Sequence, residues 1–273
     1  MMRIINANFA RMRKSVFFWA CLAVTFAVIA GSVCMNFSLY PYVTNWEQTI
    51  QHYFYVPLFT VPAFAAEFLG TEYSNNTVRN KLIAGKTRLQ IYLANLVTVT
   101  AGGLLITAAG QIVPIAVAIY AGRKGFSISE GNFAVECAIC ICAVIAACAV
   151  FTLIGMIVSQ KSMSITLSLI LMIGAYFAVS KIKEKLDVPQ FDTISVYNAD
   201  GTIERQYEEP RPDAATGFTR TVLETVYNLT SFGEIEQSLS DTTIRYFMPL
   251  YSFGILAVTT PAGIVIFRKK DLK

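Results

Sequence analysis

Six long apolar blocks divide this sequence and limit what it can fold into. They cover residues 15–35, 53–69, 91–121, 133–158, 162–180 and 246–267. A helix that crosses the hydrocarbon core of a bilayer needs roughly 20 mostly apolar residues. The chain is 55% apolar and only 15% charged, which is not the composition of a soluble domain. The sequence therefore predicts an all-α polytopic membrane protein with six transmembrane helices.

The distribution of basic residues predicts the orientation of these helices. With six crossings, both termini lie on one side, and that side carries thirteen lysines and arginines in its loops and tails. The short loops of the opposite side carry only Arg123 and Lys124. Basic residues in short loops stay in the cytoplasm, whereas long segments translocate largely regardless of charge. We therefore expect a multi-pass protein of the plasma membrane with both termini in the cytoplasm.

The first 14 residues are predicted to form an amphipathic helix at the membrane surface. Ile5, Phe9, Met12 and Val16 are spaced by three or four residues, which places them on one helical face. The basic residues of this segment fall largely off that face, as expected for a helix that rests on anionic lipid headgroups. Membrane lipids are thus one expected partner, and a frayed basic tail is the alternative.

The remaining boundaries follow from the apolar blocks. Residues 15–181 contain the first five crossings, 246–267 the sixth, and 268–273 a short cytoplasmic tail. Residues 182–245 form a polar segment on the outer side, rich in proline and turn signals in its first half. Val222, Val226 and Leu229 then recur at helical spacing. We expect a small outer subdomain there, with one or two helices packed on the membrane surface.

The tripeptide Gly85-Lys86-Thr87 resembles the end of a phosphate-binding loop, but its context excludes that function. Such a loop needs a glycine five residues before its last glycine, and this chain has Asn80 there. The preceding residues are polar rather than a buried strand. We therefore predict that the chain binds no ATP itself, has no cofactor of its own and is not an enzyme.

An intramembrane enzyme is the alternative to that prediction. It would need a catalytic set of side chains at membrane depth. The chain has a single His, and no apolar block contains an Asp. The six cysteines lie within or at the edge of apolar blocks, and small thiols packed between helices explain them. A metal site at Cys137, Cys140 and Cys142 is the other interpretation, and no histidine lies near them.

The cytoplasmic loop at residues 72–90 carries the most specific pattern in the sequence. Residues 72–93 read EYSNNTVRNKLIAGKTRLQIYL. This resembles a signature of the permease subunits of type-2 ABC transporters, which approximates E-Y-x-x-G-T-[IV]-R-N-K-L-x-x-G-x-[ST]-R-x-x-I-Y-L. Asn76 stands where that family usually has glycine. The layout of an amphipathic start, six crossings and a long outer segment before the last crossing is also similar to that family.

The resemblance implies that the loop is a coupling helix seated on a separate cytoplasmic ABC ATPase dimer. It assigns polar contacts with the ATPase to the polar residues of the loop. Leu82 and Ile83 would pack into a groove of the ATPase, and Gly85 would end the helix. The residues assigned to the ATPase-coupling site are Glu72, Thr77, Arg79, Asn80, Lys81, Leu82, Ile83, Gly85 and Arg88. ATP and Mg²⁺ would then bind the partner ATPase. The alternative is that the basic residues only anchor the flanking spans.

The second apolar block contains the candidates for a translocation path. Prolines kink a span and free backbone carbonyls, and ionisable groups at membrane depth are costly and often functional. The candidates are Phe54, Pro57, Phe59, Pro62, Phe64 and Glu67. Aromatic side chains that face lipid are the alternative for the phenylalanines. Glu67 is expected to pair with a basic residue such as Arg79, to face a cavity or to reach the headgroups.

The resemblance implies a bacterial exporter that works with a second permease, either identical or a paralogue. No row of polar residues indicates an ion pathway. We therefore expect an amphipathic or hydrophobic substrate, such as a peptide, an antimicrobial, a lipid-like compound or a drug, and no nucleic-acid partner. The alternative is a membrane sensor or immunity protein that captures a ligand through its outer segment without transport.

Overall fold

The structure is a computed structural model of the chain. It describes residues 1–39, 50, 52–122, 130–197, 203–212, 214–240 and 247–270. Three sequence predictions concern segments outside these ranges: the loop with Arg123 and Lys124, the approach to the last crossing at residues 241–246, and the final residues of the tail.

The described residues form helices along most of their length. The helices are α1 (Met2–Lys14), α2 (Val16–Leu39), α3 (Tyr55–Ser74), α4 (Thr77–Ile83), α5 (Arg88–Gly122), α6 (Glu130–Ile157), α7 (Lys161–Leu186), α8 (Gly217–Asn228), α9 (Ser231–Ser240) and α10 (Met248–Lys269). Two strands, β1 (Phe191–Tyr197) and β2 (Ile203–Pro210), lie between α7 and α8.

Five of the described helices are long and apolar enough to cross a membrane. They are α2, α5, α6, α7 and α10. Each corresponds to a predicted crossing, so the structure agrees with a polytopic helical membrane protein. The second predicted crossing corresponds to α3, which has 20 residues but is not among these five. Because Glu67 and Glu72 lie near its end, α3 lacks an uninterrupted apolar stretch as long as those of the other five helices.

Helix α3 lies at the centre of the bundle and packs against α2, α5, α6 and α7. Close approach depends on small residues of its neighbours. A Cβ atom on Gly102 of α5 would lie 2.5 Å from the Phe64 ring, and one on Gly155 of α6 would lie 2.6 Å from a Leu69 methyl group. Small residues at helix contacts allow backbones to pack closely within a bilayer. The less apolar helix is thus enclosed by the more apolar ones.

The buried face of α1 differs from the predicted one. Its buried residues are Ile4, Asn8 and Met12, which follow one another at a spacing of four. The predicted stripe ended at Val16, but the backbone turns at Ser15, so Val16 begins α2 and its side chain is 84% exposed. Met12 is buried as predicted and Phe9 packs against the core, but the centre of the buried face lies at Ile4 and Asn8 rather than at Ile5 and Phe9, because Asn8 faces the protein interior.

The segment between α7 and α10 contains a β-hairpin that the sequence analysis did not predict. Strands β1 and β2 pair antiparallel, from Phe191 opposite Pro210 to Tyr197 opposite Ile203. Helices α8 and α9 follow, in agreement with the expected one or two helices. Helix α8 packs against α7 and α9, whereas α9 packs against α6 and reaches α3, α7 and α10. We call this end of the bundle the hairpin end and the opposite one the α4 end.

Candidate coupling site at the α4 end

The turn that leads into α4 explains the departure from the family pattern. Asn76 precedes the helix with φ 53° and is the one non-glycine residue of the described chain with positive φ. Glycine adopts this left-handed conformation without steric cost, and asparagine tolerates it better than most other residues. Asn76 therefore preserves the turn that glycine would form at this position.

The end of α4 is equally well defined. Gly85 has φ 74°, and its backbone N–H donates to the Leu82 carbonyl at 2.9 Å. The N–H of Lys86 donates to the Lys81 carbonyl at 3.1 Å. These two bonds form a Schellman motif, the common way to end a helix with a left-handed glycine. The turn at Asn76 and the stop at Gly85 confine α4 to two turns between α3 and α5.

One side of α4 is exposed, with no cover from the described parts of the chain. Arg79 and Asn80 are exposed, and the Ile83 side chain is 76% exposed. Val78 is buried, and Leu82 packs against the core from a half-buried position. The short helix therefore presents an amide, a guanidinium and an uncovered aliphatic side chain on a single surface. Thr77, at the start of α4, is half-buried.

Glu72 and Lys81 of the predicted site lie on the other side, within the protein. The Glu72 side chain is fully buried at the end of α3, and its Oε1 accepts a hydrogen bond from Lys81 Nζ. Arg11 Nη1 of α1 lies 2.9 Å from the same oxygen. One carboxylate thus joins α1, α3 and α4 through two cations.

Two asparagines complete this cluster. Asn95 Nδ2 of α5 donates to Glu72 Oε2 at 2.7 Å, and its Oδ1 accepts from Asn8 Nδ2 at 2.7 Å. Asn8 Oδ1 in turn accepts from Lys81 Nζ at 2.9 Å. We define Asn8, Arg11, Glu72, Lys81 and Asn95 as the buried polar cluster. Every member has at least one bond within the cluster, so the cluster links α1, α3, α4 and α5.

Burial acts against the charge of the cluster's lysine. It lowers the pKa of Lys81, whereas the neighbouring Glu72 carboxylate raises it. A cation and a carboxylate in contact inside a protein offset part of the cost of leaving water, although removal of one partner leaves an uncompensated charge. The cluster is therefore a set of mutually dependent charges.

A second contact set fixes the start of α5 to the end of α10. Arg88 Nη1 donates to the Phe267 carbonyl at 2.7 Å and also to the Lys270 carbonyl. Lys270 Nζ donates to the Met156 carbonyl at 3.0 Å, and Tyr73 OH donates to the same oxygen at 2.6 Å. Arg88 is therefore bonded within the chain, like Glu72 and Lys81, and joins the start of α5 to the end of α10.

Glu67 forms an ion pair, but its partner is not Arg79. Lys161 Nζ, at the start of α7, lies 2.9 Å from Glu67 Oε1, and Thr71 Oγ1 donates to the same oxygen at 2.9 Å. Arg79 lies on the exposed side of α4. The sequence offered no reason to choose Lys161, because this residue is 94 positions away from Glu67 in the chain.

The predicted path residues do not lie along one surface. Phe54, Pro57, Pro62 and Phe64 are buried, and Phe64 packs edge-on against Phe18. Four of the six candidates are thus core residues of this bundle. Phe59 differs, because it lines a cavity at the hairpin end.

The cavity at the hairpin end has a volume of about 680 Å³. Phe59 and Tyr55 of α3, Tyr176 of α7 and Phe232 of α9 contribute its aromatic wall, with ring centroids 5.3 Å apart for Phe59 and Phe232. Glu236 of α9 also lines it and binds both Lys183 Nζ and Tyr55 OH. We call this space the outer cavity.

The charge on Glu236 is maintained by those two partners. Burial raises the pKa of this carboxyl, but the hydrogen bonds from Lys183 and Tyr55 outweigh burial and hold the pKa below its usual range. The outer cavity therefore combines an aromatic wall with an ion pair, a combination that suits an amphipathic ligand.

Sequence analysis missed Asn8 and Asn95, which link α1 and α5 to the predicted loop. Each left a signal. Asn95 interrupts an apolar block, and an amide at that depth needs a hydrogen-bond partner. Asn8 falls between apolar residues of α1 at helical spacing. Neither signal names the partner, since Asn8 and Asn95 are 87 positions apart.

No family model matches this sequence, and no curated protein matches it. Among the described residues, no group of three or more His, Cys, Asp or Glu side chains is placed to hold a metal ion.

Proposed function

We propose that this chain is the permease subunit of an ATP-driven exporter of the ABC type, located in the bacterial plasma membrane with both termini in the cytoplasm. Two such permeases, identical or paralogous, would act with a cytoplasmic ATPase dimer that holds ATP and Mg²⁺. The chain itself would not be an enzyme. Its substrate would be amphipathic or hydrophobic, such as a peptide, an antimicrobial, a lipid-like compound or a drug.

One observation carries the proposal. Helix α4 exposes Arg79, Asn80 and Ile83, while the other side of the same helix is bonded through Lys81 to the buried polar cluster. A coupling element must offer an accessible surface to its partner and transmit force to the membrane-spanning helices. The exposed side of α4 meets the first requirement, and the bonds of Lys81 to α1 and α3 meet the second.

The residues assigned by resemblance differ in exposure, so the proposal gives them different roles. Arg79, Asn80 and Ile83 are available for direct contact with an ATPase. Glu72, Lys81 and Arg88 are positioning residues in this proposal, because their charged groups bind within the chain. Gly85 and Asn76 set the length of the helix, since both have the left-handed conformation.

The test is co-purification of the tagged chain from its native membranes, followed by identification of bound ATPases and measurement of ATP hydrolysis. We expect wild type to retain an ABC-type ATPase. Arg79→Glu and Ile83→Asp should each reduce the amount retained by about tenfold or more, the effect of a central contact residue in an interface. Ile83 is preferable to Leu82 as a target because Leu82 also packs against the core.

Lys185→Glu is the matched control, because Lys185 is an exposed residue near the hairpin end and the change reverses the same charge. This variant should retain the ATPase as wild type does. Absence of any ATPase from wild-type preparations, or equal loss in Lys185→Glu and Arg79→Glu, would show that α4 is not a coupling helix.

The outer cavity favours one second function. A membrane sensor or immunity protein would capture a ligand at the hairpin end without transport, and α9 supplies Phe232 and Glu236 to that cavity. Under this alternative, the cellular response to the ligand should survive the combined change Arg79→Glu and Ile83→Asp. Under the exporter proposal, the same double variant should abolish the response.

A further inference from the structure

A second cavity lies at the α4 end, where α1 meets α2. It has a volume of about 500 Å³ and is lined by residues of α1, α2 and α3 and by Ser15 between α1 and α2. Arg11 and Lys14 supply two cations, and Val16, Phe17 and Ala20 supply an apolar side. One end is therefore basic and the other apolar, in the order expected from membrane surface to hydrocarbon.

The Arg11 guanidinium has hydrogen-bonding capacity that the described residues do not use. Its Nη1 binds Glu72, but Nε and Nη2 are buried and have no hydrogen-bond partner among the described residues. The guanidinium lies 3.8 Å from the centroid of the Phe68 ring, so that ring occupies one of its faces. Buried donors without partners cost free energy, and a guanidinium edge matches the oxygens of a carboxylate or phosphate.

Charge in the cavity favours an anion. Glu67 also lines it, but Lys161 and Thr71 both bind the Glu67 carboxylate. Lys14 is exposed at the cavity margin. The Lys14 ammonium group and the Arg11 guanidinium therefore provide positive charge that the Glu67 carboxylate, held by Lys161, does not cancel.

The apolar side of the cavity belongs to a surface that faces outward. Val16 is 84% exposed, and Phe17 is also exposed. Trp19, which precedes Ala20 in the chain, is also exposed. Its Nε1 donates to the Arg13 carbonyl at 2.9 Å. A tryptophan with an apolar body and a bonded polar tip is typical of the interface between headgroups and hydrocarbon.

We propose that this cavity binds one anionic phospholipid, with its phosphate between Arg11 and Lys14 and an acyl chain along Val16, Phe17 and Ala20. The basic end fits the phosphate, and the exposed apolar end fits the chain. Because Arg11 also binds Glu72, the bound lipid stabilises the contact of α1 with α3. The inference does not depend on an ATPase partner.

The test measures lipid binding to the full-length chain in detergent by native mass spectrometry. Phosphatidylglycerol is the probe, phosphatidylcholine of equal chain length is the zwitterionic control, and inorganic phosphate represents a soluble anion. We expect one phosphatidylglycerol to be retained in preference to phosphatidylcholine. Lys14→Gln should weaken its binding about fivefold, as expected for one basic residue near an anionic headgroup.

Arg13→Gln is the matched control, because this substitution removes the same charge as Lys14→Gln. Arg13 is the neighbouring exposed residue of α1 and does not line the cavity. This variant should bind phosphatidylglycerol as wild type does. Ala20→Phe tests the apolar end separately, because a larger side chain would fill the space for the acyl chain and should remove the retained lipid.

Three results would overturn the proposal. Equal retention of phosphatidylcholine would mean that the charge of the headgroup is not recognised. Equal weakening by Arg13→Gln and Lys14→Gln would mean that diffuse surface charge attracts the lipid. Displacement of phosphatidylglycerol by inorganic phosphate, together with unchanged binding in Ala20→Phe, would indicate a site for a soluble anion.

Discussion

At the scale of single residues, the buried polar cluster contains one carboxylate and two cations. Glu72 is the only anion that binds Lys81 and Arg11 among the described residues. Removal of the carboxylate therefore leaves two like charges close together, whereas removal of Lys81 leaves a balanced pair of Glu72 and Arg11. The effects of substitution at these two positions should be unequal.

We predict that Glu72→Gln lowers the free energy of unfolding by about 3–5 kcal/mol, the cost of an uncompensated buried charge. Lys81→Met should cost clearly less. Thermal unfolding of the purified chain in detergent measures both. Arg3→Met, on the exposed side of α1, is the control and should change stability by no more than about 0.5 kcal/mol. Equal losses at Glu72 and Lys81 would contradict this account of the cluster.

Glu234 gives the protein a pH-dependent stability. Its side chain is fully buried in α9, Ser252 Oγ donates to its Oε2 at 2.5 Å, and its Oε1 has no hydrogen-bond partner among the described residues. Burial raises the pKa of this carboxyl to about 7, against an ordinary value of 4.5, and the hydrogen bond from Ser252 opposes that shift.

Between these two pKa values, the unfolded chain has released the proton of Glu234 while the folded chain still holds it. Stability is therefore fully present below pH 4.5 and falls as the pH rises toward 7, by about 3 kcal/mol in total. We predict that Glu234→Gln removes this decline, which melting temperatures measured from pH 4.5 to 8 would show. Parallel curves for wild type and the variant would mean that Glu234 is ionised in the folded state.

Sequence could predict that Glu72 and Lys81 matter, because both belong to a recognisable pattern. It could not predict that their charges bind each other and Arg11. That arrangement depends on how α1, α3 and α5 pack, and it brings together residues up to 87 positions apart. For the same reason, the sequence did not predict the ion pair between Glu67 and Lys161.

At the scale of elements, the turn before α4 sets the direction in which the helix leaves α3. Asn76 has φ 53°, a conformation that a β-branched residue adopts only at considerable cost. We predict that Asn76→Gly leaves stability unchanged or slightly raised, and that Asn76→Val lowers it by about 1–2 kcal/mol. Thermal unfolding in detergent tests both.

Asn75→Val provides the control for that prediction, because Asn75 is the exposed neighbour with φ −92°. If Asn75→Val and Asn76→Val lower stability equally, the loss comes from polarity rather than from backbone conformation. In the coupling assay, Asn76→Gly should retain as much ATPase as wild type.

Elements were predictable where one physical signal dominated. Long apolar runs gave five helices of membrane-spanning length, with ends within a few residues of the predicted ones except for α7, which extends to Leu186. The hairpin was missed because β2 is largely polar, both strands lie next to prolines, and the β-branched and aromatic residues of β1 were not recognised as a strand. The regularity of the two strands comes from their pairing with each other. The buried face of α1 was misplaced because hydrophobic periodicity cannot register a polar residue that is buried for its hydrogen bonds.

At the scale of the whole molecule, the number of crossings depends on α3. Five helices satisfy length and composition, and α3 runs from Tyr55, which binds Glu236 at the hairpin end, to Glu72, which binds Lys81 at the α4 end. It therefore extends along the bundle beside its more apolar neighbours. A helix that is enclosed by other helices does not need a wholly apolar surface, because few of its side chains meet lipid.

If α3 crosses the membrane, then α1 and α4 lie on one side and the hairpin on the other. We predict that a membrane-impermeant maleimide labels Glu208→Cys in intact cells, and labels Asn6→Cys and Asn80→Cys only after permeabilisation. All three positions are exposed, so their reactivity reports the side of the membrane rather than burial. Wild type, with its native cysteines, provides the background. If Asn6→Cys and Asn80→Cys react on opposite sides of the membrane, α3 does not cross, because α2 and α3 are the two candidate crossings between these positions. In that case α1 and α4 could not both be cytoplasmic.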